Sequence, residues 1–376
     1  MRRVLYLMPN AVPGGAERAT MLMLAHHDRA RYEPGVLFFS KGPLVDEASC
    51  LGVGTHVLSR RMRLRDPISI GAAIAECSRL IRDSEYAIVH SCMSYAHLIG
   101  GIAAARAHVP AVLYQHGPLG SWMDRAATMV RCDQILANSR FTADEQLRHS
   151  WRRRPITIAP YGIDLRIDGD ERRHMREVVD ARHGLSPDAT VIGIIARFDP
   201  WKGIDVALRA IAPLLRQRAT LRFVVIGGQY RHFHPTYGDQ LRAIVSEEDL
   251  GEKVIFTGFQ MDVRPYYARL NVLLHSSLQP EPFGLTIIEA MAAGVPVVAA
   301  RGGGPAEIVT EGVDGLLHTP GSGDELRESL VRILDDTPAR ESMIAAAHRK
   351  IEAIYRPAAM MRTIEATYDQ LLGSAA

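Results

Sequence analysis

Gln279-Pro280-Glu281-Pro282-Phe283-Gly284-Leu285-Thr286-Ile287-Ile288-Glu289-Ala290-Met291-Ala292-Ala293-Gly294 follows a short apolar run, Val272 to His275, and ends on a glycine that stops a helix. Pro282 and Gly284 let the backbone turn into a helix beginning near Leu285, whose first amides have no partner within the helix. Those amides and the helix dipole attract phosphate. Glu281 stands before the helix and Glu289 about a turn inside it, so one carboxylate can face a sugar while the other takes ribose hydroxyls. The plainer reading makes Glu281 a cap and Glu289 an exposed helix position.

Working outward, the strand-turn-helix unit repeats along the chain. In the first half, strands are expected at Val4 to Met8, Gly35 to Phe39, Thr55 to Leu58, Ala87 to His90, Ala111 to Gln115, Gln134 to Ala137 and Ile156 to Ile158. Helical patterns such as Glu17 to His27, Ile68 to Arg82, Ala96 to Ala107 and Ser139 to Arg148 lie between them. The scheme restarts with strands at Val191 to Ala196, Leu221 to Ile226, Val254 to Thr257, Val272 to His275 and Val295 to Ala299. Short apolar runs alternating with amphipathic stretches predict parallel sheets covered by helices, hence an α/β chain of two Rossmann-like domains. The boundary is expected after Pro160-Tyr161-Gly162-Ile163-Asp164, with a polar connection running on to Arg176. The domains are then 1–178 and 179–356, and Pro357 starts a last amphipathic segment, 357–376.

Composition agrees with this plan. The 376 residues are 47% hydrophobic and carry 44 basic against 42 acidic side chains, which excludes a disordered chain or one built to bind nucleic-acid phosphates. The first half nevertheless holds 24 basic and 19 acidic residues, largely through Arg60, Arg61, Arg63 and Arg65 and then Arg152, Arg153 and Arg154. These clusters read as solvated surface or as contacts to an anionic membrane surface or acidic acceptor. Cys50, Cys77, Cys92 and Cys132 form no C-x-x-C pair, so buried free thiols in a reducing, cytoplasmic compartment are expected. No apolar run reaches bilayer length.

Three further stretches carry candidate chemistry. Ile194-Ile195-Ala196 runs into Arg197-Phe198-Asp199-Pro200-Trp201-Lys202-Gly203 and then an amphipathic helix, which places two cations at the carboxyl edge of a sheet, where α/β proteins bind ligands. Arginine offers forked donors and lysine a point charge, a pair suited to a diphosphate, although an isolated pair reads more readily as surface. Lysine is scarce here, Lys202 being one of only four. Pro13-Gly14-Gly15-Ala16-Glu17 links the first strand to its helix; the glycines admit a ligand close to the backbone or simply make a turn, and G-x-G-x-x-G is absent. His116, in Tyr114-Gln115-His116-Gly117-Pro118, lies just past a strand and reads either as a ligand contact or as a satisfied structural histidine.

Gly14-Gly15 with Glu17, His116-Gly117, Ala137-Asn138-Ser139, the Pro-Tyr-Gly-Ile-Asp loop, Arg197 with Lys202-Gly203, Thr257-Gly258-Phe259 and Glu281-x7-Glu289 occur in one order across nearly the whole chain. In that order and spacing the chain resembles the retaining glycosyltransferases of family 4. The resemblance implies a GT-B fold, two Rossmann-like domains facing each other across a crevice, with a C-terminal helix returning to the first. It implies that Arg197 and Lys202 hold the diphosphate of a nucleotide-sugar donor, most readily a UDP-sugar, and that amides of Phe283, Gly284, Leu285 and Thr286 touch sugar hydroxyls and phosphates. Glu289 would hold ribose hydroxyls, Glu281 the donor sugar, Gly15 beside Gly14 the phosphates, Gly258 and Phe259 the base, and His116 the sugar near the reacting carbon. The implied reaction moves a sugar to a hydroxyl of a small-molecule, glycan or glycolipid acceptor with retention, the leaving phosphate taking the proton. No metal or other cofactor is needed where fixed cations take its place.

Asp168-Gly169-Asp170 imitates a D-x-D metal motif but is expected in a surface loop of the polar connection. After Phe223 to Ile226 the family's Gly-Asp-Gly-Pro turn is replaced by Gly227-Gly228-Gln229, leading to a longer loop with His232 and His234. Tyr95, His97, Trp122 and Met123 are placed by position alone as acceptor-lining or core residues. A catalytically silent nucleotide-sugar-binding subunit and a GT-B nucleotide-sugar epimerase are the alternative functions.

Overall fold

A computed structural model describes residues 1–60, 62–63, 65–229 and 234–373. The chain divides into one unit of Met1–Asp164 with Tyr355–Ala376 and a second of Leu165–Ile354. In the first unit seven strands, β1 Arg2–Met8, β2 Tyr32–Phe38, β3 Gly54–Val57, β4 Tyr86–Cys92, β5 Ala111–Gln115, β6 Gln134–Ala137 and β7 Ile156–Ile158, form one sheet in the order β3-β2-β1-β4-β5-β6-β7. Every pairing is parallel, Leu5 facing Gly35 on one side and Val89 on the other. Val4, Leu5, Tyr6 and Leu7 are fully buried, so β1 reads as an unbroken apolar run because helices cover both faces of the sheet.

The second unit repeats the plan with β8 Thr190–Ile195, β9 Leu221–Ile226, β10 Val254–Gly258, β11 Val272–His275, β12 Val297–Ala300 and β13 Leu316–His318, ordered β10-β9-β8-β11-β12-β13. Its core joins Ile192, Phe223 and Leu274 from the sheet to Ile204, Leu208, Ile211 and Leu215 on the helix Ile204–Gln217. In each unit strand order reverses once, between β1 and β4 and between β8 and β11. Ligands of open parallel sheets bind beyond the carboxyl ends of such strands, where the flanking loops diverge.

Two expectations need correction. The passage to the second unit comes at Asp164/Leu165, directly after the 160–164 loop as expected, but the polar stretch beyond it is a helix of the second unit and no connector, so 165–178 join that unit rather than the first. That helix, Gly169–His183, is nearly all polar yet buries Val179 and pairs Asp180 with the buried Arg269. Asp168 therefore stands at its N-cap position with Asp170 in its first turn, and Asp168-Gly169-Asp170 is a helix start rather than a loop.

The last helix, Pro357–Gly373, does belong to the first unit. Tyr368 Oη meets Tyr6 Oη at 2.9 Å and His90 Nδ1 at 2.5 Å, while Glu365 accepts from the Asp28 amide and pairs with His27 Nδ1, each at 3.0 Å. Buried polar groups need such partners, and this set ties the chain terminus to β1 and β4.

Candidate active site

Glu281 is the centre of the second unit's site. It lies between β11 and the helix Leu285–Ala292, in a segment clasped by a glycine loop: Glu281 pairs with Gly303 in a short parallel bridge, and the Gly304 amide donates to its carbonyl at 2.7 Å. Gly303 has φ of +62°, and a Cβ there would sit 2.2 Å from the Glu281 carbonyl oxygen, so only glycine lets the two segments close. One carboxylate oxygen takes the Lys202 ammonium. The other takes His275 Nε2 and, at 3.3 Å, the Ser277 hydroxyl. Burial alone would raise the Glu281 carboxyl, but Lys202 and His275 outweigh it and hold the group well below the usual carboxylate range. An ionised Glu281 requires His275 to donate through Nε2.

Lys202 reaches this carboxylate from the other strand of the reversal point. It follows β8 in the short 3-10 turn Pro200–Lys202, and Gly203 behind it has φ of +64° with no room for a Cβ against the Ser276 carbonyl. The Ser276 hydroxyl donates to the Lys202 carbonyl at 2.9 Å, and the Leu278 amide to Trp201 at 2.7 Å, stitching the loops after β8 and β11 together. The ammonium also lies 4.0 Å from the Trp201 ring centroid, a cation–π contact. Lys202 and Glu281, 79 residues apart, thus form one site at the sheet edge. Arg197 is at the same edge, half exposed and 4.0 Å from Asp199.

Gly284 takes φ of +110° at the N-cap of the helix Leu285–Ala292, and Phe283 is buried beneath the turn. The amides of Leu285 and Thr286 are therefore in the first turn, without partners inside the helix. Glu289 is no idle surface position: the Tyr267 hydroxyl donates to its Oε2 at 2.6 Å. Burial and the adjacent Glu289 push the Tyr267 phenol well up, so it keeps its proton and fixes the carboxylate. Gly258 ends β10 with φ of +71° and accepts from the Gly227 amide at 3.1 Å, while the Phe259 ring beside it is exposed. His234 lies 3.8 Å from Asp199, and His232 falls outside the described residues.

In the first unit His116 follows β5 and is buried. Its Nδ1 meets the Tyr161 hydroxyl at 2.6 Å, and Asn138 Nδ2 donates to the same hydroxyl at 3.0 Å and to the His116 carbonyl at 3.2 Å. The Tyr161 hydroxyl thus links the His116 ring to Asn138. Burial lowers His116 to about 3, which keeps the ring neutral. His116 Nε2 is buried without a partner among the described residues. Gly14 is the N-cap of the helix Gly15–Ala25, so the Gly15 amide opens that helix at the carboxyl end of β1. Gly14 could not carry a side chain without moving Glu17, whose Oε2 would lie 2.6 Å from the added Cβ.

The loop after His116 is pinned by Asp124, whose carboxylate accepts from Ser94 at 2.7 Å and from the Gly120 and Ser121 amides at 3.0 and 2.8 Å. His275, Ser277, Tyr267 and Gly303 support the second unit's cluster and Asp124 the first unit's loop, yet only a histidine six residues before Glu281 hints at any of them in the sequence. Of the four acceptor-lining positions, His97 is fully buried inside the helix Met93–Ala107 and is core, and Tyr95 packs on Phe39. Trp122 is 60% exposed and Met123 half buried. No group of three metal-ligating side chains is found among the described residues, nor any helix long and apolar enough to cross a membrane.

Residues 175–350 match the family model for glycosyl transferases group 1, and residues 13–167 the model for glycosyltransferase family 4. A D-inositol 3-phosphate glycosyltransferase of Acidothermus cellulolyticus is 30% identical over 66% of this chain and 60% of its own length. The chain thus spans about three-fifths of that relative. A protein of the same description from Actinosynnema mirum is 30% identical over 70% of this chain and 67% of its own. Anabaena HepE, solved in complex with UDP and glucose, superposes with a TM-score of 0.86 over 98% of this chain and all of that one, at 24% identity, which establishes the shared GT-B fold.

Proposed function

We propose that this chain, which belongs to the group 1 glycosyltransferases of family 4, moves a sugar from a nucleotide diphosphosugar, a UDP-sugar foremost, to an acceptor hydroxyl with retention and without a metal. The observation that carries the proposal is the Lys202-Glu281-His275 cluster at the reversal point of the second sheet, beside the open amides of the helix Leu285–Ala292. A cation, an ionised carboxylate with lone pairs to spare and a helix N-terminus are complementary to a diphosphate, sugar hydroxyls and the developing phosphate charge. HepE was solved with UDP and glucose, which supports a uridine donor for this chain as well.

In this reading Arg197, Lys202 and the amides of Leu285 and Thr286 neutralise the diphosphate, each well-placed donor contributing about 3 kcal/mol as the bond to the sugar breaks. Glu281 accepts from sugar hydroxyls, Glu289 from the ribose, Gly258 and Phe259 border the base, and Gly14-Gly15 offer the Gly15 amide to phosphate. His116 Nε2–H donates to the sugar near the reacting carbon. The anomeric carbon leaves the phosphate oxygen and joins the acceptor oxygen on the same face, and the acceptor proton passes to the released phosphate. Localisation in the cytoplasm fits a nucleotide-sugar donor. The test is product analysis with labelled UDP-sugars and glycan or glycolipid acceptors. A labelled acceptor in the donor's anomeric configuration supports the reading; binding without turnover points to a silent subunit, and an altered sugar without acceptor to an epimerase.

A further inference from the structure

Two of the three tryptophans project from one part of the first unit and have no task in the site. Trp122 opens the short helix Trp122–Ala127 directly after the His116 loop and is 60% exposed, and Trp151 follows the helix Arg140–Arg148 and is 61% exposed. Met129, seven residues beyond Trp122, is 56% exposed, and Arg125 between them is exposed too. Because the helical course continues through Thr128, Trp122, Arg125 and Met129 fall on one stripe at i, i+3 and i+7.

The Arg152-Arg153-Arg154 cluster joins this stripe to Trp151. Arg154 is spent on structure: its guanidinium donates to the carbonyls of Thr128 at 3.1 Å and Val130 at 3.0 Å. The Arg152 amide donates to Thr128 Oγ1 at 3.2 Å. These bonds clamp the segment from Trp151 to Arg154 against the end of the Trp122 helix, so both tryptophans, Met129, Arg125, Arg152 and Arg153 share one surface. Arg148 nearby is paired with Glu145, but the side chains of Arg125, Arg152 and Arg153 form no ion pair among the described residues. Asp124, the acid inside the stripe, is buried and consumed by the loop it pins.

We propose that this surface docks on an anionic lipid bilayer. Exposed indole rings gain by entering the headgroup boundary, where an apolar body and an N–H are both satisfied, and unpaired arginines beside them meet lipid phosphates. Single projecting side chains among unpaired cations suit a deformable charged interface. The contact would hold the His116 loop, which runs straight into Trp122, at the membrane surface.

The full chain is sedimented with vesicles of phosphatidylcholine alone and of equimolar phosphatidylcholine and phosphatidylglycerol at low salt. Binding to the anionic vesicles at least tenfold tighter than to the neutral ones is expected. Arg152→Gln with Arg153→Gln lowers partitioning about 30-fold, from about 1 kcal/mol per cation near a charged surface, and Trp122→Ser with Trp151→Ser lowers it at least tenfold. All four side chains are exposed, and an unchanged thermal unfolding curve for each variant confirms an intact fold. Brominated lipid quenches tryptophan emission in the wild type but not in Trp122→Phe/Trp151→Phe, where Trp201 alone remains. The proposal is overturned by equal partitioning to both vesicles, by binding that survives both double variants, or by binding to a soluble acidic polypeptide as tight as to the bilayer.

Discussion

Replacing Lys202 by alanine removes the cation from a carboxylate that is itself almost buried, the two side chains being 15% and 16% exposed. Breaking a buried pair by deleting one partner costs about 3–5 kcal/mol, because the surviving charge is left uncompensated. Here His275 and Ser277 still bond the other carboxylate oxygen, so the lower end, about 3 kcal/mol, applies. For a unit of this size that is a fall of about 6–12 °C in Tm. Adding Glu281→Gln removes the orphaned charge while leaving an amide oxygen for His275, and Lys202→Ala/Glu281→Gln should regain most of the lost stability. Its activity should not return: the loss of a diphosphate cation costs at least a hundredfold in kcat/KM, from about 3 kcal/mol per well-placed donor. Urea unfolding of the four proteins of the cycle, with donor turnover measured on each, separates the two effects. A double variant no more stable than Lys202→Ala, or near-normal turnover in either variant, would refute the reasoning.

Three other outcomes follow from particular contacts. Burial lowers His116 to about 3 and His97 to about 4, so between pH 6.5 and 4 the unfolded chain binds protons that the folded chain does not. Stability must therefore fall as pH falls through that window, by up to about 1.4 kcal/mol per pH unit for each ring; His97→Leu should flatten the slope, and an unchanged slope on denaturant titration would contradict the assignment. Gly303→Ala forces a Cβ onto the Glu281 carbonyl at positive φ and should cost more than the about 1–3 kcal/mol of backbone strain alone, with donor binding lost. Gly52→Ala, also at positive φ but with open space around it, should unfold less easily than Gly303→Ala and keep donor binding. Turnover should persist in excess chelator, and loss restored by magnesium or manganese would overturn metal independence.

The alternation of buried runs and amphipathic stretches made the two parallel sheets legible, since β5, β6, β7, β9 and β11 fall on the apolar runs themselves. It hid β13, three residues long, and the helix Gly169–His183, whose single buried Val179 leaves no apolar stripe to read. At the site, Lys202 and Glu281 could be named because each sits at a strand end in a motif. Their direct pairing could not, because it depends on loops 79 residues apart meeting at a reversal of strand order. Tyr267 and Gly303 act only through Glu289 and Glu281, and a residue that supports another across the fold leaves no local pattern. For His97 position alone left acceptor lining and core equally open, and burial decides for core.

The central claim, that the second unit holds a nucleotide diphosphosugar through Lys202 and Glu281, is tested most directly by thermal unfolding against a panel of UDP-, GDP-, ADP- and TDP-sugars. At a hundredfold excess over Kd a specific donor should stabilise the fold by about 2.7 kcal/mol, and UDP-sugars should lead the panel with the shift abolished in Lys202→Ala. No stabilisation by any member, or an equal shift in Lys202→Ala, would contradict the account.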